Sequence, residues 1–262
     1  MPFRRHVLAV FAALGLTAAP LAGHGQDVPV IAGASDLQFA LEEIAAAFET
    51  DTGNAVRLSM GSSGNFARQI RQGAPFEMYL SADEAFVLDL HRDGFTRDEG
   101  DLYAIGRIVV IAPAGSPLEP DADLANLEAM LALGSISRFA IANPEHAPYG
   151  RAAKQALITR GLWDAVEPRL VLGENVSQAA QFATSGNTEG GIIAYSLALA
   201  AQVSALGDWT LLPEEWHEPL RQRMVLLPHA GPVAEAFYAY LQEPAARAIF
   251  RRYGFVLPGE QS

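Results

Sequence analysis

Short apolar runs alternate with segments of helical periodicity along almost the whole chain. This alternation is the βαβ rhythm of a mostly parallel sheet. The predicted strands cover residues 28–34, 56–60, 78–81, 107–113, 138–143, 170–172, 191–194 and 224–228. The predicted helices cover residues 37–48, 66–71, 85–90, 151–160, 177–184, 196–203, 233–242 and 245–253. The pattern therefore predicts an α/β fold in which mostly parallel sheets are flanked by helices.

Polar side chains stand where the predicted strands give way to helices. Ser35 precedes Gln38 by three residues, and Ser81 precedes Glu84 by three, which is the spacing of a helix capping box. The other polar residues at such junctions are Ser62, Ser63, Tyr195 and Asn175, and Asn175 is predicted to be the N-cap of the helix that begins at Val176. In an open α/β sheet these junctions lie at the carboxyl edge, where ligands bind. Several helix N-termini at one edge would offer unpaired N–H groups and partial positive charge to a small dianion.

The first 26 residues have the composition of a secretory signal peptide. Arg4 and Arg5 precede an apolar run that extends to about residue 22, and small residues follow it. Thr17 and Pro20 interrupt this run, whereas a transmembrane helix needs about 20 apolar residues. Residues 1–25 are therefore predicted to be a cleaved signal peptide, and the mature protein is predicted to be periplasmic.

Composition and charge exclude several classes of protein. Half of the 262 residues are hydrophobic and 18% are charged, so the chain can bury a core and is not intrinsically disordered. The 18 Lys and Arg against 30 Asp and Glu give a net charge of −12, which argues against a nucleic-acid partner. Because the chain has no cysteine, it can form no disulfide, thiolate metal site or thioether-linked lipid anchor.

The remaining polar residues form no catalytic or metal-binding pattern. The segment Gly-Ser-Ser-Gly at 61–64 lacks the Gly-x-Ser-x-Gly spacing of a hydrolase nucleophile, because Asn65 stands where the second glycine would be. The histidines after the predicted signal peptide have no metal-ligand spacing, and they are His91, His146, His217 and His229. The sequence therefore predicts neither an enzyme nor a bound cofactor.

Five long segments together resemble the periplasmic molybdate-binding proteins of ABC transporters. They read AGASDLQFALEEIAAAF, MGSSGNFARQIRQGAPFEMYLSADE, NPEHAPYGRAAKQAL, GENVSQAAQFATSGNTEGGIIAYSLAL and FYAYLQEPAARAIFRRYGF. The likeness covers nearly the whole predicted mature chain, and the segments occur in the family's order. It implies the two-lobed type II periplasmic binding protein fold, in which two lobes close on a ligand. Lobe 1 would comprise residues 27–106 and 223–262, and lobe 2 residues 107–222.

The same resemblance implies a set of ligand-binding residues. Members of this family hold a tetrahedral oxyanion with hydroxyl and backbone N–H groups, and no residue coordinates the metal atom directly. Carried onto this sequence, the set consists of the Ser35 and Ser63 hydroxyls with their amides, the Tyr149 and Val176 amides, and the Tyr195 hydroxyl. Whether Ser62 or Asp36 also contacts the ligand stays open, and Asp36 is expected to cap its own helix.

The implied function is the capture of molybdate, and of tungstate, by a monomeric protein that delivers the anion to a membrane ABC permease. The alternative is the same fold with another tetrahedral oxyanion, sulfate or phosphate. Hydrogen phosphate carries a proton, and a pocket that offers only donors would leave it unpaired at a cost of about 1–3 kcal/mol. Sulfate carries no such proton, so cavity size would have to discriminate against it.

Overall fold

The computed structural model describes Met1 and residues 28–260. Within them, the strands are β1 (Val30–Ala34), β2 (Arg57–Gly61), β3 (Met78–Ser81), β4 (Asp101–Gly106), β5 (Ile108–Pro113), β6 (Phe139–Ala142), β7 (Leu170–Gly173), β8 (Gly190–Ala194), β9 (Gly207–Leu211) and β10 (Leu220–Leu226). The α-helices are α1 (Gln38–Thr52), α2 (Ser63–Arg71), α3 (Glu84–Arg92), α4 (Ala125–Ala132), α5 (Pro148–Thr159), α6 (Trp163–Val166), α7 (Val176–Thr184), α8 (Tyr195–Ala198), α9 (Ala201–Ser204), α10 (Pro232–Tyr240) and α11 (Pro244–Arg252). Short 3-10 helices cover Ser35–Leu37, Glu167–Arg169 and Glu214–Trp216. The predicted signal peptide lies outside the described residues, apart from Met1.

The strands form two five-stranded sheets. The first has the order β2-β1-β3-β10-β4, in which β1 is parallel to β2 and β3, and β10 is antiparallel to β3 and β4. The second has the order β7-β6-β8-β5-β9, in which β6 is parallel to β7 and β8, and β5 is antiparallel to β8 and β9. Four strands of each sheet thus run in one direction, which confirms the predicted α/β fold with mostly parallel sheets.

The two sheets divide the molecule into two halves. We call residues 30–106 and 220–257 the first half, and residues 108–219 the second half. The predicted lobe boundary at 222/223 falls inside β10, whose first residue, Leu220, already pairs with Gly106 of β4. The lobes as units that move against each other stay a prediction.

Each half has its own apolar core. In the first half, the Phe48 ring on α1 packs edge-to-face against Phe237 on α10, with 5.1 Å between the ring centroids. In the second half, all residues of β5 are buried, and helices α5, α7 and α8 pack against this strand. Within residues 28–260, no helix combines the length and the apolar character of a membrane span.

Helix capping differs from the sequence prediction at two junctions and agrees at one. The predicted caps at Ser35 and Ser81 are wrong: α1 begins after a 3-10 turn without a side-chain cap, and Asp83 caps α3 by accepting from the Ala85 N–H group at 2.9 Å. The predicted cap of α7 is confirmed, since the Asn175 side chain accepts from the N–H group of the third helical residue at 3.0 Å.

Candidate functional site

A small cavity lies where the two halves meet. It is bounded by the carboxyl ends of β1, β2 and β3 and by the first residues of α5 and α7. Four of the five predicted ligand residues line it, namely Ser35, Ser63, Tyr149 and Val176. No lysine, arginine or histidine is among the lining residues that belong to the described part of the chain. The carboxyl edges of both sheets thus converge on a pocket without positively charged side chains.

A larger cleft adjoins this cavity at Ala82 and Pro148. It contains the ion pair that Arg151 of the second half forms with Asp83 of the first. None of the predicted ligand residues lines it. The smaller cavity is therefore the candidate binding site.

The Ser35 hydroxyl is held by a contact between the two halves. Its Oγ accepts a hydrogen bond from the Ser177 N–H group at 3.3 Å, and the Ser177 hydroxyl donates to the Ser35 carbonyl oxygen at 2.8 Å. Because the Ser35 oxygen acts as acceptor in this pair, its own proton is available to an anion.

Ser63 is the first residue of α2 and is 1% exposed. Its Oγ accepts from the Ala82 N–H group at 3.0 Å, and its carbonyl oxygen accepts from the Tyr79 hydroxyl at 2.8 Å. These two bonds fix the position of the serine and leave its hydroxyl proton free to donate.

Backbone N–H groups of three helix N-termini face the same region. Ser63 and Val176 are the first residues of α2 and α7, and Tyr149 is the second residue of α5. The N–H groups of a helix's first turn have no partner within the helix and carry its partial positive charge. These helices have 9 or 12 residues, so each is long enough to contribute to anion binding in this way.

The hydroxyl group of Tyr149 takes part in a buried hydrogen-bond network, so it is not free to bind a ligand. Its hydroxyl donates to Asp36 Oδ2 at 3.0 Å, and Gln222 Nε2 donates to the same oxygen at 2.7 Å. The Tyr103 hydroxyl donates to Gln222 Oε1 at 2.7 Å. Tyr149 is therefore placed to contribute its backbone N–H group to a ligand.

The expected capping role of Asp36 is wrong. The 3-10 turn that contains Asp36 has no side-chain cap, and Asp36 is 1% exposed. Burial raises the pKa of its carboxyl group to about 6, and the hydrogen bonds from Gln222 and Tyr149 oppose that rise. The sequence shows a carboxylate beside Ser35 but carries no local signal for Gln222, which lies 186 residues away.

Ser62 and Gly64 contact the second half at a single residue, His146. The Ser62 hydroxyl donates to the His146 carbonyl oxygen at 2.6 Å and lies 2.9 Å from its Nδ1. The Gly64 N–H group donates to the same carbonyl oxygen at 3.0 Å. The Gly64 Cα hydrogen faces this carbonyl so closely that an added Cβ would lie 2.7 Å from its oxygen. These contacts hold the two halves together beside the cavity.

The arrangement of Ser62, His146 and Glu174 does not form an activated nucleophile. His146 Nε2 lies 3.6 Å from Glu174 Oε2, so the three side chains follow one another as in a catalytic triad. The single hydroxyl proton of Ser62 is, however, engaged by the His146 carbonyl oxygen at the shorter distance. Among the described residues, no group of three His, Asp or Glu side chains could hold a metal ion.

Tyr195, the fifth predicted ligand residue, does not line the cavity, so the structure separates it from the other four. Its ring packs edge-to-face on Trp209, with 5.2 Å between centroids, and lies 4.9 Å from the Arg107 guanidinium carbon. The next residue, Ser196, points toward the site and donates to the Asp36 carbonyl oxygen at 2.7 Å. Tyr195 and Ser196 are the first two residues of α8, so their side chains point in different directions about the helix axis.

Tyr195→Phe is expected to leave anion affinity unchanged. The substitution removes only a hydroxyl group outside the cavity, and it keeps the ring that packs against Trp209 and Gly254. Isothermal titration should give a dissociation constant within about twofold of the unsubstituted protein, and unfolding free energy should change by about 0.5 kcal/mol or less. A tenfold loss of affinity would mean that the hydroxyl reaches the anion.

The chain is similar to several known proteins. A family model described as "Bacterial extracellular solute-binding protein" matches residues 29–256. The molybdate-binding protein ModA of Azotobacter vinelandii is 34% identical over 248 residues, covering 94% of this chain and 96% of the relative. ModA of Rhodobacter capsulatus is 35% identical over 218 residues, covering 82% of each chain. The solved structure of the periplasmic molybdate-binding protein of Azotobacter vinelandii superposes with a TM-score of 0.79 at 33% identity, covering 88% of this chain and 99% of that one.

The similarity extends over nearly all of the described residues. The fold is therefore the periplasmic binding protein fold, as the resemblance implied. The chain belongs to the family of bacterial extracellular solute-binding proteins.

Proposed function

We propose that this protein captures molybdate, and tungstate, between its two halves and delivers the anion to a membrane ABC permease. The observation that carries the proposal is the convergence of Ser35, Ser63, Tyr149 and Val176 on one cavity without positively charged side chains. The relatives named above, which share about a third of its residues, are molybdate-binding proteins by name.

The donor set matches the chemistry of a fully deprotonated tetrahedral dianion. Two hydroxyl groups and the N–H groups of three helix N-termini surround the cavity, and they come from both halves. Each helix N-terminus carries about half a positive charge, so three of them offset most of the charge of a dianion. Since these donors are fixed dipoles in a buried site, binding should depend only weakly on salt.

The further parts of the proposal concern the protein's location and motion. Residues 1–25 would be removed as a signal peptide, and the mature monomer would act in the periplasm without catalysing a reaction. The lobes at 27–106 with 223–262 and at 107–222 would open to admit the anion and close on it, as in hinged binding proteins. The cross-contacts of Ser35 with Ser177 and of Gly64 with His146 would then form on closure.

Thermal unfolding with four anions tests this function directly. A ligand at about a thousand times its dissociation constant adds roughly 4 kcal/mol of stability, which corresponds to a shift on the order of 10 °C for a chain of this size. Molybdate and tungstate are expected to give such a shift at concentrations where sulfate and phosphate give little. A larger shift with sulfate or phosphate would favour the alternative oxyanion.

Ser63→Ala is expected to weaken molybdate binding by about 1.5–3 kcal/mol, because it removes a hydrogen bond to a charged group. This corresponds to a loss of affinity of roughly 10- to 150-fold, measured by isothermal titration. Ser185→Ala is the matched control, since the Ser185 hydroxyl is exposed and donates to the Phe182 carbonyl oxygen away from the site. Equal affinities for the two variants would exclude Ser63 as a ligand.

A further inference from the structure

The carboxyl group of Asp36 occupies an unusual position for a site that takes an anion. Asp36 lines the cavity, is 1% exposed and follows Ser35 directly. A carboxylate beside a dianion would repel it strongly in a buried, weakly polarisable environment. The carboxyl group must therefore face the anion in a form that does not oppose binding.

Only one of the two carboxyl oxygens is satisfied by the protein. Oδ2 accepts from the Tyr149 hydroxyl and from Gln222 Nε2, at 3.0 and 2.7 Å. Oδ1 is buried and has no hydrogen-bond partner among the described residues. A buried polar atom without a partner is costly, so Oδ1 is the atom for which a bound ligand would supply one.

The groups packed around Asp36 are neutral. They are Tyr149 from α5, Gln222 from β10, Tyr103 from β4 through Gln222, and the Ser196 hydroxyl from α8, which bonds the Asp36 carbonyl oxygen. Within residues 28–260, no arginine, lysine or histidine forms an ion pair with Asp36. Burial raises the pKa of Asp36 to about 6 and raises the pKa of Tyr149 and Tyr103 well above 10.0, so both tyrosines stay protonated.

We propose that Asp36 is a further anion-binding residue of this site, whose Oδ1 carries a proton in the loaded protein and donates it to an oxygen of the bound dianion. This inference rests on the proposed function and adds a donor to it. It also makes capture of the anion a reaction in which one proton enters from the solvent and leaves again on release.

The direction of this coupling follows from the charges. With Oδ2 held by two donors, the proton resides on Oδ1, where it removes the repulsion and gives the dianion one more hydrogen bond. The anion in turn favours the protonated carboxyl group, because it places two negative charges next to it. Affinity for a dianion therefore falls as the pH rises above the pKa of Asp36 in the empty protein.

Isothermal titration with sodium molybdate in HEPES and in Tris tests the proposal, because the two buffers have different ionisation enthalpies. At pH 7.5 the difference in binding enthalpy should correspond to the uptake of about one proton per anion, and affinity should fall by up to about tenfold per pH unit between pH 6.5 and 8.5. Asp36→Asn keeps the shape and offers an N–H donor, so it should bind molybdate without proton uptake and with little dependence on pH. Asp208→Asn, an exposed carboxylate on β9, should behave as the unsubstituted protein does.

The outcomes separate this inference from the proposed function. Molybdate binding without proton uptake, with the same pH dependence in Asp36→Asn, would overturn the role of Asp36 and leave the function intact. No molybdate binding by either protein would overturn the function itself. Tight binding of phosphate that is lost in Asp36→Asn would mean that Oδ1 accepts a ligand proton, which also contradicts the inference.

Discussion

Gly64→Ala is expected to weaken molybdate binding by about 2–4 kcal/mol, because the substitution interferes with the contact between the two halves. An added Cβ would lie 2.7 Å from the His146 carbonyl oxygen and 3.1 Å from its Cα, both backbone atoms of the other half. Overpacking of this kind costs about 1–3 kcal/mol. The hydrogen bond from Gly64 to His146 would be weakened as well, which adds about 0.5–1.5 kcal/mol.

The expected loss of affinity is therefore on the order of 30- to 1000-fold, measured by isothermal titration. Because the proposed opening of the two halves would relieve this clash, the anion-free protein should unfold at nearly its usual temperature. Gly231→Ala is the matched control, since its added Cβ would meet only the Glu77 carboxylate at an ordinary 3.4 Å. Unchanged affinity in Gly64→Ala would show that the anion is not held by closure of the two halves on each other.

Asp36→Asn is expected to stabilise the anion-free protein at neutral pH, by on the order of 3 kcal/mol. The folded pKa of about 6 lies above the ordinary value of 3.8, so the folded protein holds the proton more tightly than the unfolded chain. For a carboxyl group shifted upward, stability is highest below pH 3.8 and is lost as the pH rises to about 6. Above about pH 6 the buried carboxylate lowers the free energy of unfolding by an amount that no longer changes with pH. The amide of the Asp36→Asn variant carries no charge and avoids this loss.

Urea unfolding of the anion-free protein at a series of pH values measures this effect. The difference in unfolding free energy between Asp36→Asn and the unsubstituted protein should grow between pH 4 and 6 and stay level above it. Asp208→Asn should show no such growth. A variant that is less stable than the unsubstituted protein at pH 7.5 would mean that the ionised carboxylate is stabilised by its donors more than burial costs.

Much of the fold can be predicted because its strands are short apolar runs bounded by helix starts. The pattern predicts strand β3 with its observed limits, and β1, β5 and β8 within two residues at either end. It does not predict strands β4 and β9, since their sequences DLYAIG and GDWTL mix polar and apolar residues without a run. Their place in the sheets depends on pairing with β10 and β5, which are contributed by other parts of each half.

The candidate site can be predicted as far as it depends on local junctions. Ser63 and Val176 begin helices directly after turns that end a strand, which the local sequence indicates. Tyr195 cannot be placed in the same way, because it is the first residue of α8, where a shift of one position turns a side chain by about 100° about the helix axis. The partners of Asp36 lie 113 and 186 residues away, so no local pattern predicts its buried network.

The proposed function depends above all on a dianion that sits between the two halves, surrounded by hydroxyl and backbone N–H donors. Anomalous X-ray diffraction at the molybdenum absorption edge, on crystals grown with molybdate, tests this placement most directly. We expect one strong anomalous peak in the cavity, with oxygens within hydrogen-bond distance of Ser35, Ser63, Tyr149 N and Val176 N. A peak elsewhere on the molecule, or none at saturating molybdate, would contradict it.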